Sequence, residues 1–584
     1  MNTLTWILAG ILVYWLAIVT LRRRGWLPEY AKAQGPLLSI HTSRGRAFLN
    51  WLASPRRFWR AWANFGLGFS IVVMALAFFF LLTSAILQML RPEPTMVTQP
   101  RNVLVIPGVN DFLPLSVAPE IIAGLVVALV VHEGGHGLLC RVEDIDIKSL
   151  GVVLLAVIPL GAFVEPDEES RTEADRGQQS RMFAAGVTNN FAVTVIAFTL
   201  LFGPVVGSIA VAPGVHVGTT MPASGADAAG IGMGDRITAV EGTPVEDESE
   251  LNAILDNETR STADVEINGE RTRTVQRRLL VTSNVTVEGI PTVPPNATVA
   301  AVNGTNVSTR GQLKAAFRNR TVGTVTTADG RNVTFPVGAL ATVQRDGAMA
   351  ETEAPTTDAL VITRIDGQRI VTQGDLQDVM ETTEPNETVV VEAYSPDGPA
   401  TYNVTLGNSS AGDYGALGVR VYEGFTGVEV NDFGVRTYPS AFYLGLIGGG
   451  GGQAGFLDRV AVVLLLPIAG VATELPFNFA GFTGGLTNFY VAAGGPLSFL
   501  GGWLFLLANL LFWTGWINLN LGFFNAIPGY PLDGGHILRN TAEAVVSRLP
   551  IGDRRRAVRV ITTSIGVTML ASLLLMLFGE GLLA

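Results

Sequence analysis

Cysteine occurs once in the 584 residues, at Cys140. One thiol excludes a disulfide framework and every thiolate zinc or iron–sulfur site. Histidine is nearly as scarce: His41, His132, His136, His216 and His536 are the whole supply for any histidine-based metal site. Lysine is confined to Lys32, Lys148 and Lys314, so 36 of the 39 basic residues are arginine. Charge is sparse as well, at 15% of residues where a soluble domain carries roughly 25%. The net charge of −11 argues against nucleic acid as a partner. What the chain has in quantity is apolar residues, 48% of the total, and many of them stand in long runs.

A helix crosses a bilayer with roughly 20 apolar residues. Six runs qualify, at residues 5–21, 65–90, 117–140, 182–205, 497–524 and 560–578, while a further run at 460–471 is too short. The first run is followed, not preceded, by its arginines Arg22, Arg23 and Arg24. That is the wrong flank for a cleaved signal, so the run reads as an anchor. Six crossings place the basic loops before runs two, four and six on one side, which the positive-inside rule makes the cytoplasm. The expected fold class is a polytopic α-helical membrane protein. It has about six transmembrane helices, a short re-entrant or interfacial segment, and an extracytoplasmic α+β insertion of repeats. The expected division is a two-helix anchor at 1–91, a first membrane half at 92–205, the insertion at 206–436, a return segment at 437–496 and a second membrane half at 497–584.

The insertion holds the acid. Residues 206–436 carry 30 Asp and Glu against 16 Lys and Arg, a net of −14, which leaves +3 for the rest. An acidic surface with arginine in place of lysine suits a high-salt habitat, that of a halophilic archaeon, and a GC-rich genome would equally give the bias. All ten Asn-x-Ser/Thr sequons, from Asn257 to Asn408, lie in this block, as an exported surface would have them.

The block also repeats itself. Asp235-Arg-Ile-Thr-Ala-Val-Glu-Gly242, Thr298-Val-Ala-Ala-Val-Asn-Gly304 and Leu360-Val-Ile-Thr-Arg-Ile-Asp-Gly367 each have an apolar residue three positions after the glycine and a leucine nine after. The spacing predicts a strand, a tight glycine turn, a short strand and an amphipathic helix in each copy. The first copy, with Ser224-Gly-Ala-Asp-Ala-Ala-Gly-Ile-Gly-Met-Gly before its strand, resembles a PDZ domain. The expected copies are 215–280, 281–340 and 341–410, the later two lacking the segment before the strand. PDZ domains bind extended peptide at a sheet edge, so the resemblance implies peptide C-termini as partners.

The chemistry lies in His132-Glu-Gly-Gly-His136. Histidines at i and i+4 share one helical face and can share one metal ion, and a glutamate beside the first can serve as base toward water. Ionisable groups inside an apolar helix are costly and mark function. Catalytic zinc takes three protein ligands, so a third is needed. His41 and His216 fall in loops. The other candidates lie in Asn525-Ala-Ile-Pro-Gly-Tyr-Pro-Leu-Asp-Gly-Gly-His536, where two prolines and two glycines break a membrane helix. Broken backbone at that depth is tolerated only around a cavity, and Asp533 sits in the break.

Together the two motifs resemble the site-2 proteases, intramembrane zinc metalloproteases, and the resemblance runs from about Val117 to Leu538. It implies that His132, His136 and Asp533 bind Zn2+ and that Glu133 is the general base. Gly186 to Asn190 is similar to the family's A-G-P-x-x-N helix, with Val187 where proline is usual. Asn190, Asn525 and His536 are thereby support residues, and Gly161-Ala-Phe-Val164 an edge that holds substrate as a strand. The implied substrates are single-span, membrane-tethered regulatory proteins in the lipid bilayer. A catalytically silent membrane receptor or scaffold using the repeats is the competing reading, and the intact Glu133 argues against it. A shared zinc also requires run 497–524 to cross in the same direction as run 117–140. Residues 456–475 therefore cannot be a lone full crossing.

Overall fold

The protein is described by a computed structural model over residues 3–28, 30–34, 37–42, 44–90, 106–110, 113–155, 158–257, 260–355, 358–410, 412–448, 455–468, 477–550 and 552–583. It divides into a helical unit, Met1–Val211 with Ala441–Ala584, and a sheet-rich unit, Ala212–Ser440.

The helical unit contains α1 (Thr3–Arg23), α2 (Arg56–Leu90), α3 (Ala118–Val142), α4 (Arg176–Leu200), α5 (Trp503–Asn525), α6 (Asp533–Val546) and α7 (Arg554–Leu583). Among the described residues, five helical stretches are long and apolar enough to cross a membrane: those of α2, α3, α4, α5 and α7. The sequence predicts six; the first apolar run is also a helix, α1, of 21 residues. Helix α4 starts at a reciprocal cap, in which Asp175 accepts the Gln178 N–H and Gln178 accepts the Asp175 N–H, each at 2.8 Å.

Small residues let these helices approach closely, as packing within a bilayer requires. A Cβ on Gly66 of α2 would meet Thr188 of α4, one on Gly515 of α5 would meet Phe198, and one on Gly522 would meet Phe191. The last two pairs make α5 antiparallel to α4. Gly135 of α3 lies on Ala185 and Cys140 on Met182, so α3 is antiparallel to α4 too. Helices α3 and α5 therefore run the same way. The chain achieves this by turning back on one side: strand Ile209–Val211 after α4 pairs with Tyr490–Ala492 before α5. Between them, Ser440–Gly448 and Phe456–Leu465 are helices of 9 and 10 residues, too short to cross. Residues 469–471 of the short apolar run lie outside the described residues.

The foot of α3 is pinned by charge. Glu143, buried just past its end, takes a two-pronged bond from Arg181 of α4 at 2.8 and 3.0 Å, and Arg60 of α2 stands 3.5 Å away. Beside it is an antiparallel sheet in the order β1 (Ala31–Gln34), β2 (Leu37–His41), β3 (Ile147–Leu155) and β4 (Ile158–Pro166). Among the described residues, strand β4 has a partner on one side only.

In the sheet-rich unit each repeat has a strand, a tight turn, a two-residue strand and a helix. The helices are Glu248–Asn257, Arg310–Phe317 and Gln373–Met380. The turns are Glu241-Gly242, Asn303-Gly304 and Asp366-Gly367, and all six residues have positive φ. That pair of conformations makes a hairpin turn whose second residue is best glycine. The sequence-based boundaries need correction. The three sheets take their last strands from Val435–Thr437, Val428–Asn431 and Val419–Val421 respectively. The copies are thus nested, the first closing last. Strands of three or four residues carry too little alternation to be read from sequence. Each copy also has a strand before its repeat, Val215–Thr220, Leu279–Asn284 and Ala339–Val343.

Nesting brings Arg277, after the first copy, against Asp432, between two closing strands. Both are fully buried and ion-paired, and Asp432 also accepts the Arg310 N–H at 2.8 Å. Replacing Asp432 with Ala leaves a buried guanidinium facing no carboxylate there, a loss of about 3–5 kcal/mol. Hydrogen exchange on the whole protein should show faster exchange across the first two sheets, with α3 to α5 unchanged. Unaltered protection would mean that the pair does not hold the nest together.

Candidate metal centre

Helix α3 carries His132 and His136 on successive turns, and their rings meet edge to face with centroids 4.8 Å apart. Asp533 is the first residue of α6. A carboxylate there lies in the field of the helix N-terminus, which favours its charged form. Its Oδ2 stands 3.2 Å from Nε2 of His132 and 3.3 Å from Nε2 of His136, and the two Nε2 atoms are 3.3 Å apart. The three side chains are the one set of His, Cys, Asp or Glu donors among the described residues that could hold a metal ion.

Their geometry fits zinc. Ligands at about 2.0–2.1 Å from a tetrahedral ion stand roughly 3.3 Å from one another. Asp533 Oδ2 is buried and accepts no hydrogen bond from the described residues. Nδ1 of His136 lies 2.9 Å from the Met182 carbonyl; donating its proton there leaves the Nε2 lone pair for a metal. The donors converge on one point rather than satisfying each other.

Close backbone contacts make room for this. A Cβ on Gly186 of α4 would lie 2.7 Å from both His132 Cε1 and His136 Nε2. Only a glycine lets α4 pass behind the two imidazoles. Likewise a Cβ on Gly534 would lie 2.3 Å from the Ala526 carbonyl oxygen, and one on Gly535 would lie 2.7 Å from Gly529. The paired glycines after Asp533 let α6 start against the turn that follows α5.

Glu133 is half-buried and reaches β4, where its Oε2 accepts the Val164 N–H at 3.0 Å. This contact has no side-chain signature in the sequence, because its donor is backbone. The Glu143 clamp was equally hidden, since Arg60 and Arg181 are ordinary loop-facing arginines in the sequence.

The support residues are placed less uniformly. Asn190 is fully buried one turn beyond Gly186, beside Gly522, and neither atom of its amide finds a partner among the described residues. Asn525 donates to the Leu521 carbonyl of its own helix at 3.0 Å. His536 stacks flat on Phe183 with centroids 4.1 Å apart and is outside the donor set. His41 bonds Ser39 and meets the edge of Phe163. His216 belongs to the sheet-rich unit, bonds Ser440 and the Ala212 carbonyl, and burial pushes its imidazole down to about 4.

Gly186→Ala should push at least one imidazole off the shared point and weaken zinc binding on the order of 10- to 100-fold. Gly134, midway between the same histidines, has no heavy atom within 4 Å of where a Cβ would stand, so Gly134→Ala should bind zinc as the wild type does. Chelator competition on the purified proteins separates the two. Equal affinities would remove Gly186 from the packing argument.

Peptidase family M50 matches residues 120–573, a span that holds both motifs and the sheet-rich unit. An uncharacterized protein of Methanocaldococcus jannaschii is 29% identical over 201 residues, 34% of this chain and 52% of that protein. The chain thus spans about half the length of the curated relative it matches.

Proposed function

The chain belongs to peptidase family M50, the site-2 protease family, and on that premise we propose that it is an intramembrane zinc metalloprotease cleaving transmembrane segments of membrane-tethered regulatory proteins. The observation that carries this reading is the meeting of His132, His136 and Asp533 at 3.2–3.3 Å beside Glu133, with both histidines and the glutamate on a helix apolar enough to cross a bilayer.

His132, His136 and Asp533 would hold the ion. When bound there, the ion would supply Lewis-acid polarisation of the scissile carbonyl and of water. Glu133 takes the proton from the attacking water and returns it to the leaving amine. The Val164 N–H holds the Glu133 carboxylate in place. Strand β4 presents its unpaired edge at the same spot, so an unwound substrate can add to it as a further strand. That strand-by-strand pairing satisfies the substrate backbone where water is excluded. The amide of Asn190, buried and without a partner among the described residues, is available to a substrate peptide group.

The sheet-rich unit is assigned to the extracytoplasmic side, on the strength of its ten sequons and the basic loops that precede α2, α4 and α7. In the first repeat, the cleft between helix Glu248–Asn257 and strand Val435–Thr437 is narrow and is bridged by a Thr437–Glu248 bond of 2.8 Å. This favours a unit that restricts substrates by size over one that captures peptide ends.

With purified protein and a single-span substrate in vesicles, Glu133→Gln should keep its zinc and cleave about 10²- to 10⁴-fold more slowly. Asp533→Ala should lose zinc and cleavage together. Cleavage at the wild-type rate by the glutamine variant would sink the mechanism and revive the scaffold reading.

A further inference from the structure

A groove of about 1270 Å³ runs along one face of α7, between it, α6 and the turn that follows α5. Its α7 wall is a stripe of residues at helical spacing, from Arg554, Arg555 and Arg559 through Thr562 and Thr563 to Gly566, Val567, Leu570 and Leu573. From Arg554 to Leu573 the stripe is about 28 Å long. One leaflet with its headgroups is roughly 20–22 Å deep. The groove is therefore long enough for an amphiphile lying along the helix.

Its charge is graded in the same direction. At one end Arg176 of α4 and Arg539 of α6 join the three α7 arginines, and Glu543 is the sole acid in the lining. That glutamate is already engaged by Arg176 at 3.1 Å and Arg539 at 3.2 Å. Arg554, Arg555 and Arg559 have no acidic partner among the described residues. At the other end the lining is aliphatic, with Leu81 of α2 opposite Leu570 and Leu573.

We infer that this groove binds an anionic phospholipid, its phosphate on Arg555 and Arg559 and a hydrocarbon chain along Val567, Leu570 and Leu573. Guanidinium forks suit phosphate oxygens, which they grip in pairs, and basic pockets between membrane helices select anionic headgroups. A peptide is the other occupant that charge would admit. The walls speak against it: α6 and α7 satisfy their backbone groups internally, the turn between α5 and α6 holds no strand, and none of the three offers a strand edge to a peptide backbone in an apolar slot. A hydrocarbon chain has no such groups to satisfy. The lipid would also lie against Tyr530, Pro531 and Leu532, the three residues before Asp533, so its occupancy bears on the loop that delivers the carboxylate.

The test uses the whole protein in bilayer discs and spin-labelled lipids, reading the motionally restricted fraction. Phosphatidylglycerol should associate on the order of 10-fold more strongly than phosphatidylcholine. The preference should vanish when Arg554, Arg555 and Arg559 are all changed to Gln, and survive when all three are changed to Lys. Val567→Trp, which fills the apolar end, should lower association with the arginines intact. Zinc content near the wild-type level in each variant shows that the helical unit is folded. Equal association of the two lipids with the wild type overturns the inference. So does displacement of the labelled lipid by inorganic phosphate alone, which would make the site a simple anion site. Displacement by a soluble acidic peptide overturns it in favour of a protein flank. None of these outcomes depends on proteolysis, so they leave the catalytic reading where it stands.

Discussion

The imidazoles of His132 and His136 and the carboxylate of Asp533 face one another at 3.2–3.3 Å from two helices that the whole sheet-rich unit separates in sequence. Ionisable groups in an apolar interior are costly unless they find each other or a metal. That demand sets the direction of the helices. For Asp533 to arrive at the depth of the histidines, α5 must run parallel to α3, and both must run against α4. The chain meets the condition by returning on one side through helices of 9 and 10 residues and a strand pair that ties the end of α4 to the approach of α5.

The same convergence explains where side chains are missing. Gly186 leaves space for two imidazoles, and Gly534 and Gly535 let α6 begin against the preceding turn. Apolar association is weak as a driving force between helices in lipid, so close backbone contact and buried polar ties must hold the bundle. The clamp of Arg181 and Arg60 on Glu143 is one such tie, and the bond from Asn540 to Ser180, which joins α6 to α4, is another.

The sheet-rich unit obeys different physics. Each repeat buries one apolar face under its own helix, and each hairpin is fixed by a two-residue turn with both φ values positive. The closing strands come back in reverse order. The unit therefore begins and ends on the same sheet, which suits an insertion whose two ends must return to one membrane domain.

Much was legible in the residues alone. Runs of apolar residues give helices because a bilayer leaves no other partner for the backbone. Spacing of i and i+4 places His132 and His136 on one face, and the recurring glycines mark the three hairpins, because these signals are local. The short closing strands, the Val164 N–H on Glu133, the stacking of His536 on Phe183 and the arginine-to-aliphatic groove along α7 were not legible. Each is made by segments far apart in the chain, by backbone atoms, or by both. Sequence by itself determined the helices, the repeats and the residue types able to hold a metal. Only the tertiary structure decided that three donors meet at one point with a glutamate turned to a strand edge, because distances between remote segments are set by packing and not by local propensity.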